Sequence, residues 1–271
     1  RPEREQVALA GPVAEESRVK FAFSRSTRNE PGQPAELFTK FGPAGFDGLQ
    51  LKSNQYGDYL DDPDRFLADW GQYPGVASGL IHGGLLDADG VATLRRVIKF
   101  GQAVGSDLVI YWPREPRGDD VDLTAFARQV SELGQEVQAA GLRLSLHHHH
   151  NQIVMTGEEI ERFFNEIVPG SVGLTIDTAH IVKSGMPDVA AAIRRFAPVI
   201  DNFHLKDYGD GEWKVLGHGD MDFGPIFDAI REIGFDGWVC ADEESGADFD
   251  GALASCYQML AEGLPAESVT R

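Results

Sequence analysis

Four consecutive histidines, His147 to His150, follow the alternating stretch Leu142-Arg143-Leu144-Ser145-Leu146 in the middle of the chain, where a purification tag cannot account for them. On an extended strand His147 and His149 point to the same side. Two imidazoles on one side of a strand end can both ligate a metal, or can divide the work between a ligand and a proton-transfer group. A polar loop rich in histidine is the plainer alternative. The choice depends on what the rest of the chain brings beside them.

The elements that must position these side chains can be read from periodicity. From Lys20 onward, short apolar runs alternate with longer segments of helical period, the pattern of a repeating βα parallel sheet. Strands are expected at 20–24, 48–51, 75–81, 107–112, 143–147, 173–176, 202–205 and 238–241. Helices are expected at 90–104, 123–140, 157–167, 188–196, 223–233 and 249–260. Thr156 ahead of Glu158 and Glu159 reads as an N-cap, and Gly141 and Gly234 read as helix stops. Eight strand-helix units in about 250 residues imply a single α/β domain, a (β/α)8 TIM barrel, with its chemistry at the strand C-termini. A doubly wound open sheet is the alternative, but Phe23-Ser24-Arg25-Ser26-Thr27 is not the glycine-rich turn such a sheet usually carries. The barrel is placed at 19–264, with an N-terminal arm at 1–18 and a C-terminal tail at 265–271. Pro113 to Asp120 reads as a polar, proline-containing loop positioned to cover substrate.

Ionisable residues gather at the expected strand ends. His147 to His150 follow strand five, Asp177-Thr178-Ala179-His180 strand six, His204-Leu205-Lys206-Asp207 strand seven, and Asp242-Glu243-Glu244 strand eight; His82 ends strand three. Singly, each has a plainer explanation: a hydrogen-bonded structural histidine, a helix N-cap or a surface acid. Four successive strands ending this way point instead to one mixed nitrogen and oxygen site. Such a site suits one divalent ion, Mn²⁺, Mg²⁺, Co²⁺, Fe²⁺ or Zn²⁺, with Mn²⁺ favoured, and leaves coordination positions for substrate oxygens.

Charge and composition narrow the partners. A formal net charge of −19 argues against a nucleic-acid backbone or an anionic membrane surface, both of which need clustered Lys and Arg. No apolar stretch approaches the ~20 residues needed to span a bilayer. Cys240 and Cys256 read as reduced, buried residues, not a disulfide framework. The first 18 residues lack the apolar core of a signal peptide and begin without Met, so a cytoplasmic location is the expectation, with an upstream export signal left open.

Four motifs carry a resemblance: Thr175-Ile176-Asp177-Thr178-Ala179-His180, Phe203-His204-Leu205-Lys206-Asp207, Leu216-Gly217-His218-Gly219 with Met221-Asp222-Phe223, and Gly234-Phe235-Asp236-Gly237-Trp238. In these the chain resembles the sugar phosphate isomerase/epimerase superfamily of xylose isomerase-like TIM barrels, over roughly Lys20 to Leu260. The resemblance implies Asp177 and His204 as metal ligands, with Asp242 or Glu244 as the acidic ligand of the last strand. His147 stands where the isomerases and epimerases carry Glu. That histidine run, with acid-x-acid after Trp238, is closer to the inosose dehydratase branch, although Asn151-Gln152 replaces that branch's Gly-Thr.

The resemblance further implies removal of a proton from carbon next to a carbonyl of a keto-sugar or keto-polyol. Isomerisation, epimerisation or elimination of a β-leaving group would follow. His149 is the expected base, Lys206 and His180 are expected to act on substrate oxygens, and His82 and Trp112 to line the pocket. Related barrels also serve as the large subunit of C-glycoside deglycosidases, so a partner subunit, a homo-oligomer and a non-catalytic polyol-binding barrel stay open. A phosphodiesterase role like that of the endonuclease IV relatives is disfavoured by the −19 charge.

Overall fold

The computed structural model describes residues 19–28, 33–118 and 122–265; the arm at 1–18 and all but the first residue of the tail at 265–271 lie outside them. Eight parallel strands close into a barrel: β1 (Lys20–Arg25), β2 (Gly48–Leu51), β3 (Gly79–Gly84), β4 (Leu108–Pro113), β5 (Arg143–His147), β6 (Gly173–Asp177), β7 (Ile200–Leu205) and, after a short hairpin of β8 (Asp207–Gly209) and β9 (Glu212–Lys214), β10 (Trp238–Glu243). Closure comes from β1 against β10, in register from Lys20 opposite Trp238 to Arg25 opposite Glu243. The (β/α)8 reading of the sequence therefore holds.

Strand parity sorts the side chains into two layers. Phe23, Leu49, Leu80, Val109, Leu144, Ile176, Phe203 and Val239 face outward into a large core shared with the surrounding helices, while Ala22, Ile81, Ile110 and Cys240 pack inside the barrel. The inward set continues to the strand ends as Trp112, His147, Asp177, His204 and Asp242. Parity thus decides which strand-end residues can meet.

The main helices are α4 (Ala88–Val104), α5 (Leu123–Ala139), α6 (Gly157–Glu166), α8 (Val189–Phe196), α9 (Phe223–Glu232) and α10 (Phe249–Gly263), close to expectation. Aspartate caps α4, α5, α8, α9 and α10, and Thr156 with Glu159 forms a capping box on α6. Part of the acidic surplus is therefore structural: these carboxylates satisfy helix N–H groups and favour the positive helix end.

Some expectations need correction. The third strand starts at Gly79, not at residue 75, because Gly75 takes a left-handed turn with φ +82°. The short helices α1 (Gln33–Lys40), α2 (Ser53–Tyr56), α3 (Pro63–Trp70) and α7 (Thr178–Lys183) and the β8-β9 hairpin were not anticipated, being too short for a clear period. Asp207 is neither a cap nor a surface acid. It is buried and accepts N–H groups from Tyr208, Gly217, Gly219 and Met221. Gly219 must be glycine, since a Cβ there would stand 2.3 Å from an Asp207 oxygen. The Leu216-to-Phe223 motif is thus a cradle for one carboxylate. Cys240 and Cys256 are buried free thiols, as expected.

The barrel seam also holds a buried ion pair, Arg25 to Glu243 at 3.1 Å, in which the glutamate side chain is fully buried. Arg25→Met should lower stability by about 3–5 kcal/mol, the usual cost of leaving a buried charge without its partner, read as a drop in the urea midpoint. A loss below about 1 kcal/mol would mean that the Ser245 hydrogen bonds alone satisfy Glu243.

A candidate metal centre at the barrel mouth

Asp177 is both the last residue of β6 and the N-cap of α7. Its Oδ1 accepts N–H from Ala179 and His180, each at 3.0 Å, which turns Oδ2 toward the barrel axis without a hydrogen bond of its own. His147, at the end of β5, brings Nε2 to 3.4 Å from that oxygen. His204, on β7, faces His147 with ring centroids 5.0 Å apart. Ligand atoms of His147, Asp177 and His204 all lie within 4.8 Å of one another, and all three residues are buried.

Two features of this cluster fit a divalent cation. Asp177 Oδ2 and His204 Nδ1 are buried with no hydrogen-bond partner, a costly state that a bound ion would relieve. Two imidazoles with a carboxylate also form the mixed donor set that first-row divalent ions accept. Burial presses His204 down to about 3 despite the pull of Asp242, so its ring is neutral and can ligate at neutral pH. Burial works to raise the Asp177 carboxyl, but His180, Lys206 and His147 around it hold it well below the ordinary range.

The acids after β10 stand at the same mouth. Asp242 Oδ2 lies 3.7 Å from His204 Nδ1 and 2.8 Å from Lys206 Nζ, while its Oδ1 is 2.7 Å from Lys52 Nζ. Glu244 bridges the same two lysines, at 3.0 Å from Lys52 and 2.9 Å from Lys206. Asp242 is therefore the acid beside the cluster, and Glu244 stands one cation further out. Burial opposes the charge on Lys206, but Asp242, Asp177 and Glu244 outweigh it and raise the ammonium well above its usual range.

A cavity of about 500 Å³ opens above these residues, lined by Trp112, His149, His180, Lys206 and Trp213 among others. The strand ends at His147, yet alternation continues: His149 joins His147 at the cavity, while buried His148 points away and accepts the Asp177 N–H on Nε2 at 3.1 Å. His149 stacks on Trp112, lies 3.9 Å from the His180 ring, and has Nδ1 2.9 Å from the His150 carbonyl. A carbonyl only accepts, so Nδ1 carries the proton and Nε2 keeps its lone pair. Burial and the neighbouring His147 lower the His149 pKa, and burial presses His180 down to about 2.

His82 does not join them. Parity turns it outward on β3, stacked at 6.4 Å on Tyr111, and Ile81 takes the inward place. The sequence reading also passed over Lys52, Lys183 and Trp213, which line the cavity, and Gln50 beneath it. Lys52 and Gln50 had a legible signal: they are the polar residues at the end of strand two and two positions earlier. Trp213 lies on the unanticipated hairpin, with Lys183 and Lys206 ammonium groups 4.6 and 4.8 Å from its ring. The loop after β4 is tied to the loop after β5 by a bridge between Pro116 and Gln152, and to the first turn of α6 by the Arg117 to Glu159 ion pair at 2.5 Å; residues 119 and 120 of that loop lie outside the described residues.

Fold and site together define a (β/α)8 barrel with an inward-facing His/Asp/His cluster at the C-terminal ends of adjacent strands. The family model of the xylose isomerase-like TIM barrels matches residues 43–257, and the chain belongs to that family. It is similar to the inosose dehydratase of Lacticaseibacillus casei, 30% identical over 149 residues, covering 48% of this chain and 50% of that protein. It is also similar to the inosose dehydratase of Klebsiella pneumoniae subsp. pneumoniae, 27% identical over 198 residues, 65% of this chain and 64% of that protein. The chain spans about half the length of most of the curated relatives it matches. Among solved structures it resembles L-ribulose 3-epimerase, with TM-score 0.75, 20% identity, and 91% and 94% of the two chains covered. It likewise resembles the IolI protein with a bound zinc atom, with TM-score 0.70, 17% identity, and 91% and 98% covered. These structural likenesses show the shared fold. No helix among the described residues is long and apolar enough to cross a membrane.

Proposed function

We propose that the protein is a divalent-metal-dependent enzyme of the sugar isomerase, epimerase or dehydratase type, acting on a keto-sugar or keto-polyol. The observation that carries this reading is the cluster of His147, Asp177 and His204 ligand atoms within 4.8 Å, with hydrogen-bonding capacity unused at the floor of a cavity. The names of the curated relatives and of the structural neighbours, dehydratases and epimerases, support the same chemistry.

In this reading His147, Asp177 and His204 hold the ion, Mn²⁺ by preference, with Asp242 as the fourth ligand. The ion supplies Lewis acidity toward substrate oxygens. His149, neutral and with Nε2 free, takes the proton from the carbon beside the carbonyl. Lys206, held in place by Asp242 and Glu244, donates to a substrate oxygen and offsets the charge that develops there. His180 hydrogen-bonds a hydroxyl. Trp112 and Trp213 give the apolar face of a sugar ring two flat surfaces to lie against. Return of the proton to a neighbouring atom yields an isomer, delivery of a proton to the opposite face of the same carbon yields an epimer, and departure of a β-hydroxyl as water yields a dehydrated product.

The test is incubation of the Mn²⁺-loaded protein with keto-sugars and inososes in D₂O. Deuterium entering a C–H position without loss of water is the expected result for an isomerase or epimerase, and loss of water that for a dehydratase. Neither event across a broad panel, with candidate partner proteins supplied, would overturn the proposal in favour of a binding subunit.

A further inference from the structure

Half of the barrel interior is apolar, but the other half holds four fully buried polar side chains below the cluster: Gln50, Ser145, Thr175 and Asn202. They form one connected chain. His204 Nε2 lies 2.7 Å from Gln50 Oε1, Gln50 Nε2 donates to Asn202 Oδ1 at 2.7 Å, and Asn202 Nδ2 donates to Thr175 Oγ1 at 3.2 Å. Thr175 and Ser145 hydroxyls meet at 2.6 Å, and Ser145 Oγ donates to Asp201 Oδ1 at 2.5 Å. Asp201 Oδ2 in turn faces Arg143 at 3.2 Å.

Every amide and hydroxyl in this chain has two settings. Burial raises the Asp201 carboxyl, but the Ser145 hydroxyl on one oxygen and Arg143 at 3.2 Å from the other favour its ionised form, and a carboxylate so paired only accepts. Ser145 must therefore give its proton to Asp201 and accept from Thr175. Thr175, having donated, must accept the Asn202 amide N–H. That turns the Asn202 oxygen toward Gln50 Nε2 and leaves Gln50 Oε1 to face the imidazole. Turning Gln50 over would set its oxygen against the Asn202 oxygen, and the conflict would pass link by link to Asp201, which cannot donate.

We infer that this one-way chain, anchored by Asp201 near the other end of the same strand, fixes His204 as the Nε2–H tautomer and so aims its bare Nδ1 at the metal site. Gln50, Asn202, Thr175, Ser145 and Asp201 are positioning residues. None of them touches substrate or the ion. The chain extends the familiar pairing of a ligating histidine with a carboxylate through two amides and two hydroxyls, crossing to Gln50 on β2 and returning to β7. It also accounts for four buried polar residues in a barrel core, since a fully connected network avoids the cost of unsatisfied groups. The consequence for metal affinity rests on the function proposed above; the tautomer does not.

The experiment reads the two separately. In metal-free protein carrying ¹⁵N-labelled histidine, the His204 ring, assigned by its disappearance in His204→Gln, is expected to show a protonated Nε2 and a bare Nδ1. Titration calorimetry with Mn²⁺ then reports affinity. Gln50→Leu should produce mixed tautomers and weaken Mn²⁺ binding by about 10- to 100-fold, the usual loss when the partner of a ligating histidine is removed. Thr175→Val, near-isosteric and three links from the ring, should loosen the tautomer and weaken binding by roughly threefold to tenfold, less than loss of the direct partner, and Thr175→Ser should restore both. If folded Gln50→Leu and Thr175→Val proteins keep the wild-type ring signals and affinity, the inference fails. A wild-type ring already mixed between tautomers would also overturn it, even if Mn²⁺ binds. The expected tautomer in a protein that takes up no Mn²⁺ would support the chain and overturn the metal reading alone.

Discussion

Asp177→Asn is expected to weaken Mn²⁺ binding by about 100-fold or more, beyond what loss of an outer partner of a ligand costs. One oxygen of Asp177 caps α7 and the other is the sole carboxylate oxygen within the three-residue cluster. The asparagine keeps an acceptor for the Ala179 and His180 N–H groups, so α7 should stay in place. What disappears is the negative charge between two imidazoles and a lysine ammonium 3.8 Å away. Calorimetry with Mn²⁺ on folded variant and wild type is the measurement. Equal affinities would remove Asp177 from the ligand set, and with it the proposed chemistry.

His149→Ala should keep the metal and lower kcat by about 10²- to 10⁴-fold, the range typical for loss of a general base. His147→Ala should instead weaken metal binding. If the two phenotypes are exchanged, so are the roles. The pH profile gives a second check on the base. The lowered pKa of His149 means that the working, unprotonated form persists below the ordinary value of 6.5, so the acid limb of kcat/KM should fall below that pH. A limb at or above 6.5 would point to a different base. Both measurements require the substrate identified by the deuterium experiment.

Much of the fold was legible from period alone. Strands two and five match to the residue, and six helices match within a few positions, because long amphipathic segments and short β-rich runs report their own periods. The site was legible for the same reason. Once the strands are placed, a side-chain period of two carries His147, Asp177, His204 and Asp242 to one interior, and Lys206 and Trp112 follow by the same parity. His82 shows the limit of that reasoning. It stands on a correctly recognised strand, but its neighbours Leu80 and Ile81 are both apolar and do not mark which side faces the axis, and a change of one position turns a side chain from the barrel axis to the helical layer.

The contacts of Lys52, though its strand-end place was legible, and the whole placement of Trp213 mark a different limit. Each residue approaches the acids or the lysines only through barrel closure or a hairpin of three-residue strands, and neither event has a local period. The sequence by itself determined the eightfold alternation, the strand ends where chemistry could sit, and the residue types that suit a divalent ion. Tertiary structure alone decided that Asp242, not Glu244, stands beside His204, that two lysines share both acids, that His149 keeps its free nitrogen toward the cavity, and that a polar chain runs beneath the cluster. These are matters of distance between residues as much as 192 positions apart, such as Lys52 and Glu244. Hydrogen bonds and ion pairs act over a few ångströms of space, and only the closed barrel converts that separation along the chain into contact.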